Sequence, residues 1–216
     1  MRRALSKIAA SGLLLLLAAC GTTGGPGASG GGIFSNEADG RAAWDSRSEG
    51  RSWSQMTRLA IDTDGAALLA ATPADIEVFC PNYANLTPQA KREVWVVLVA
   101  QIAQIESALD PMAVKNPPGP GQAQARRGLM QISVDTAQRY RCANVGPMQL
   151  NDPQTSLGCG VKLLAATSGA DKIVTGYTQG GWKGAARYWG DLRRPENVAD
   201  LQAATNGQTF CRRKTS

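Results

Sequence analysis

Histidine is absent from the 216 residues. That excludes Ser-His-Asp and Cys-His catalysis, histidine-ligated zinc and histidine phosphotransfer. Proton transfer near neutral pH is left to a carboxylate, a lysine, a tyrosine or a thiol. None of the five cysteines forms a C-x-x-C pair, so a zinc or redox centre of that spacing has no support, and we expect no metal or cofactor. The apolar run at residues 8–19 falls short of the ~20 residues that span a bilayer. No strongly alternating strand pattern and no internal repeat is visible. A chain of this length suits one domain.

The N-terminus reads MRRALSKIAASGLLLLLAAC. Arg2, Arg3 and Lys7 precede the apolar run, which is the layout of an export signal. Its end, Leu17-Ala18-Ala19-Cys20, resembles the lipobox of bacterial lipoproteins, which implies cleavage after residue 19 and lipidation of Cys20. An ordinary signal peptide, or a short anchor, with a chance cysteine is the alternative. Residues 20–40 are rich in Gly, Ser, Thr and Ala and read as a flexible tether. The G-x-G-x-x-G at Gly25, Gly27 and Gly30 has no strand before it and no helix after it, so it is not a dinucleotide site. The formal charge is +6; losing Arg2, Arg3 and Lys7 with the leader leaves +3. So small an excess gives no reason to expect a nucleic-acid partner.

Cys80, Cys142, Cys159 and Cys211 remain. An even count in an exported chain fits two disulfides, and three pairings are open. Cys142–Cys159 with Cys80–Cys211 is preferred, because the first closes a short loop and the second ties down the C-terminal tail.

Residues 41–216 read as one mainly α domain. Thr72-Pro73-Ala74-Asp75 has the form of a helix start, and Thr87-Pro88 repeats it. The second opens the longest candidate helix, 88–108, with Val94, Val97, Leu98, Ile102 and Ile105 on one face. Ser133 caps a short helix to residue 140, and Asp152-Pro153 opens another to about residue 167. Residues 183–189 and 195–204 are weaker helical candidates.

Chemistry concentrates in residues 105–111, IESALDP, and 128–132, GLMQI. Glu106 falls in the last turn of the long helix. It is either a solvated glutamate at a helix end or an acid whose pKa is raised by partial burial and by the negative helix terminus. A general acid working near neutrality needs the second.

E-S-x-x-x-P followed by G-L-M-Q-I resembles the soluble-lytic-transglycosylase (SLT) catalytic domain, which has the goose-type lysozyme fold. The resemblance covers about residues 92–195. It implies that Glu106 is the acid/base, that Ser107 helps orient the active-site groups, and that Met130 and Gln131 line the sugar-binding cleft. Asp152-Pro153 with Gly160 and Leu163-Leu164 is similar to a further family helix, with Ser156 where asparagine is usual. The family's A-Y-N-x-G is matched by Arg187-Tyr188-Trp189-Gly190, which implies that Tyr188 reaches toward Glu106, although Trp189 replaces the asparagine. Tyr177 is a competing match. Residues 116–127 form an insertion ending in Arg126 and Arg127, either a solvated loop or a cleft rim that meets stem-peptide carboxylates.

The resemblance implies a peptidoglycan lytic transglycosylase acting on glycan strands. One glutamate protonates the oxygen between N-acetylmuramic acid and N-acetylglucosamine, then takes a proton from the muramic acid 6-hydroxyl to close a 1,6-anhydro ring. Asp110 reads as a cap or turn residue. A muramidase using a second carboxylate, with Asp135 the candidate, is one alternative; a non-catalytic peptidoglycan-binding lipoprotein is another. The expected location is the cell envelope, lipid-anchored, with the outer membrane facing the periplasm favoured over the inner membrane. A secretion-machine partner is left open.

Overall fold

The computed structural model describes residues 40–115, 124–142 and 145–213. The expected leader and tether, with Cys20, lie outside them except for Gly40, as do residues 116–123 of the insertion. Seven α-helices and two short hairpins account for most of the described chain: α1 (Gly50–Asp64), α2 (Ala66–Ala70), α3 (Ile76–Phe79), α4 (Pro88–Ser107), β1 (Val114–Lys115), β2 (Arg126–Arg127), α5 (Val134–Arg139), α6 (Pro153–Leu164), β3 (Thr175–Thr178), β4 (Gly181–Gly184) and α7 (Pro195–Asn206). The mainly α class expected from the sequence is the one observed. None of the described helices is long and apolar enough to cross a membrane.

α4 begins where its local chemistry dictates. Thr87 accepts a hydrogen bond from the Ala90 N–H, and Pro88 fills the first turn, where its missing N–H costs nothing. A single apolar face was expected, but residues 94–100 are buried without interruption. α4 is therefore a central helix, wrapped on all sides rather than laid on a core. α1 and α7 pack against it, and α6 packs against α1.

Two local expectations are corrected. Thr72 does not cap a helix: α3 starts at Ile76 after a turn. The Asp75 carboxylate is drawn away to the backbone N–H groups of Val174 and Thr175, at 2.7 and 3.2 Å. Residues 183–189 were expected to be helical, yet Gly181–Gly184 is a strand paired antiparallel with β3, followed by a 3-10 turn at Ala185–Arg187. Gly181 and Gly184 both have positive φ, so glycine sets the ends of this strand.

Cys80 is bonded to Cys211 and Cys142 to Cys159, the preferred pairing. The first bridge is reinforced by the Asn82 backbone N–H, which donates to the Cys211 carbonyl, and by the Asn82 side chain, which donates to that of Phe210.

Candidate active site

α4 carries two buried glutamates, and their surroundings differ. Glu93, near the start, has both oxygens held by the Arg58 guanidinium at 2.9 and 2.8 Å, with Arg92 beside it. Glu106, at the other end, is only 1% exposed. Its Oε2 accepts from Lys115 Nζ at 3.2 Å, and its Oε1 is buried without a hydrogen-bond partner. Burial raises the Glu106 pKa; Lys115 pulls it down, Asp191 pushes it up and Arg126 opposes it weakly, so that burial prevails. The C-terminal end of α4 works in the same direction.

The chain reverses sharply after Glu106. Ala108 and Leu109 both have positive φ, and Asp110 accepts from the Met112 N–H at 2.8 Å, the turn role expected of it. Left-handed non-glycine residues cost energy and persist where the surroundings hold them. Here they return the chain along β1, which pairs with β2 and brings Lys115 back to the carboxylate.

The GLMQI segment is a closed loop. Arg127 and Ile132 exchange backbone hydrogen bonds at 3.1 Å, and the Gln131 N–H donates to the Gly128 carbonyl. Gly128 has φ +72°, and a Cβ there would collide with the Leu150 carbonyl, so no larger residue fits. Met130 packs on Gly160 of α6, where an added Cβ would come within 2.8 Å of the methionine side chain. The Ser156 hydroxyl accepts from the Met130 N–H at 3.1 Å. Serine at the position where the family pattern has asparagine thus anchors this loop.

Met130 and Gln131 were expected to line a cleft, but both are fully buried. Gln131 donates to the carbonyls of Ala113 and Gly128 at 3.0 and 2.8 Å, and its Oε1 lacks a partner. Gln131 thus ties the loop to the chain at Ala113, next to β1 and two residues before Lys115. The Ser107 hydroxyl donates to the Ala103 carbonyl within its own helix.

Tyr188 is half-buried. Its hydroxyl accepts from the Ser133 N–H and donates to the Gln131 carbonyl, both at 3.3 Å. Burial raises its pKa, and the Glu106 charge adds to the effect. Tyr177, the competing match, is 66% exposed on β3, stacked edge-on against Trp182. Asp135 is exposed in the first turn of α5. The carboxylate whose charge reaches Glu106 is Asp191, which accepts from the same Lys115 ammonium at 2.9 Å. That hydrogen bond, more than any other influence, holds the Asp191 pKa down.

Arg126 and Arg127 part company. The Arg126 charge acts on Glu106, Tyr188 and Asp191, whereas Arg127 has a buried Nε without a partner. Lys115, Arg126 and Asp191 belong to no motif in the sequence. A groove of about 440 Å3 between α1 and α6, lined by residues including Met56, Leu59, Cys159 and Lys162, contains none of these groups.

A buried carboxyl with a raised pKa, one oxygen unpartnered and a tyrosine nearby is equipped to donate a proton. Residues 84–182 match the family model described as the Transglycosylase SLT domain. The chain carries an SLT, lysozyme-like domain, the domain of the lytic transglycosylases. Among solved structures, Bd0314 DslA (wild-type form 2) is 27% identical with a TM-score of 0.75, over 80% of this chain and 98% of that one. A glutamate-to-glutamine mutant of the same protein has the same identity and TM-score, over 81% and 99%. No curated protein matches the chain. The family match holds Glu106, Ser107, Met130, Gln131, Ser156 and Gly160; it ends before Tyr188, Trp189 and Asp191, short of the expected 92–195.

Proposed function

We propose that this protein is a lipid-anchored peptidoglycan lytic transglycosylase that cleaves the β-1,4 bond between N-acetylmuramic acid and N-acetylglucosamine. The carrying observation is Glu106: buried, raised in pKa and unpartnered at Oε1, within the SLT match. As acid it protonates the bridging oxygen. As base it then takes the proton from the 6-hydroxyl of the muramic acid, whose oxygen closes the 1,6-anhydro ring. Tyr188 borders this chemistry, and Met130, Gln131 and Ser107 hold the scaffold beneath it. Two disulfides fit an oxidising envelope compartment.

One observation favours a second reading. Two carboxylate oxygens lie 3.2 and 2.9 Å from one Lys115 nitrogen. That caps the separation of these two oxygens at about 6 Å, which admits the roughly 5–5.5 Å of retaining two-carboxylate glycosidases and not the wider inverting spacing. If water attacks, Asp191 rather than Asp135 is the partner acid.

Digestion of purified sacculi in heavy-oxygen water separates the two. A lyase releases 1,6-anhydro ends, lighter by one water and free of label; a hydrolase releases labelled reducing ends. Glu106→Gln should lower turnover by at least about 10²-fold, the usual reach of general acid–base catalysis. Wild-type protein that binds sacculi and releases neither product is a binding lipoprotein.

A further inference from the structure

An ammonium beside a carboxyl favours its ionised form, and an ionised carboxylate has no proton to donate. In the free protein Lys115 Nζ lies 3.2 Å from Glu106 Oε2 and so opposes the protonation that burial favours. The same nitrogen is 2.9 Å from Asp191 Oδ2. The Glu106 side chain is wholly buried, whereas those of Lys115 and Asp191 are 39% and 33% exposed. Lys115 therefore reaches the acid from the solvent side and has a second carboxylate to keep when it leaves.

We propose that Lys115 is a displaceable guard on the acid: an entering glycan strand shifts its ammonium from Glu106 onto Asp191 alone, and Glu106 then takes up one proton from solvent. The inference rests on the reading of Glu106 as the acid/base. Its physical basis is the cost of a buried carboxylate without a counter-charge, which is relieved by protonation. The charged and titratable groups acting on Glu106 are Lys115 from β1, Arg126 from β2 and Asp191 from the 3-10 turn at Gly190–Arg193, with Tyr188 from the preceding turn. Lys115 and Arg126 favour the ionised form; Asp191 favours the neutral one. Lys115 is thus a positioning residue that biases the acid toward ionisation until substrate arrives. The arrangement ties the reactive protonation state to occupancy of the site.

Two measurements on the full chain test this. In the first, the Glu106 carboxyl carbon is titrated by NMR, assigned by its loss in Glu106→Gln. Lys115→Met should move the midpoint up, Lys115→Arg should restore it, and Asp191→Asn should move it down. In the second, pH profiles are recorded on soluble glycan strands. The alkaline limb of kcat/KM reports the free protein and that of kcat the complex. In wild type the kcat limb should lie at higher pH; in Lys115→Met the two should coincide. A Glu106 midpoint unmoved by Lys115→Met, a downward shift absent in Asp191→Asn, or wild-type limbs that already coincide overturns the guard. Full turnover by Glu106→Gln instead overturns the acid/base reading itself.

Discussion

The indole N–H of Trp189 donates to the carbonyl oxygen of Met130 at 2.8 Å, across 59 residues of chain. Both residues are fully buried. Tyr188, one position earlier, holds the next carbonyl of the same loop through its hydroxyl. The Arg187-Tyr188-Trp189-Gly190 segment and the GLMQI loop are therefore clamped together, and the tryptophan that departs from the family pattern makes the shorter of these two bonds.

Trp189→Phe keeps most of the packing and strands the Met130 carbonyl. An unsatisfied buried acceptor costs about 1–3 kcal/mol, so the denaturant midpoint should fall accordingly. Cleavage should fall with it, because the loop that Gln131 ties to Ala113, beside β1, loses one of its own ties.

Glu106→Gln should be more stable than wild type at neutral and alkaline pH. The Glu106 pKa is raised in the folded protein, chiefly by burial. The proton-linked stability is thus complete below the unfolded-state pKa and is lost as pH rises through the folded one. Glutamine does not titrate and escapes that loss, while Lys115 keeps Asp191 as a partner. Melting temperatures across the pH range should diverge above the Glu106 midpoint and converge in acid. A constant difference at all pH values would contradict the shift.

The two disulfides should differ in worth. In the chain-entropy account, the bridge spanning 17 residues contributes about 3 kcal/mol and the one spanning 131 residues nearer 5 kcal/mol. Replacing Cys80 and Cys211 with serine should therefore destabilise more than replacing Cys142 and Cys159. Equilibrium unfolding of the two double variants reads the order directly.

What could be read beforehand was chemistry that acts within a few residues. Thr87 and Pro88 announce α4, and Ser133 and Asp152 accept from the N–H three residues on, at Thr136 and Thr155. The β3–β4 hairpin was missed because it is short, bounded by glycines, and defined by the pairing of Tyr177 with Trp182 rather than by alternation. Lys115 and Asp191 were missed for a different reason. They are 76 residues apart and acquire a role only where the fold brings them together. Met130 and Gln131 were recognised by type and neighbours, but a motif does not say whether a side chain faces a cleft or is buried, as these two are.

Cys20→Ser tests the proposed lipid anchor. The lipobox-like ending predicts that wild type fractionates with membranes and incorporates labelled fatty acid, and that the variant loses the label and is either released or stranded with its leader uncleaved. Since the site is built from residues 106–191, activity of the purified variant on isolated sacculi should match that of wild type. Unchanged fractionation without any fatty-acid label in wild type would remove the lipid anchor from the proposal.

The Cys80–Cys211 bridge makes the chain between those residues a closed ring, and Glu106, Lys115, Tyr188 and Asp191 all lie on it. A protease that nicks this ring once, at any peptide bond, opens it without freeing a fragment. Both pieces remain one covalent molecule, and the packing around α4 keeps them in register. Loss of part of the site by a single cut then requires a reductant as well as the protease. In a compartment where thiols are oxidised, the domain can be cleaved and still retain its parts.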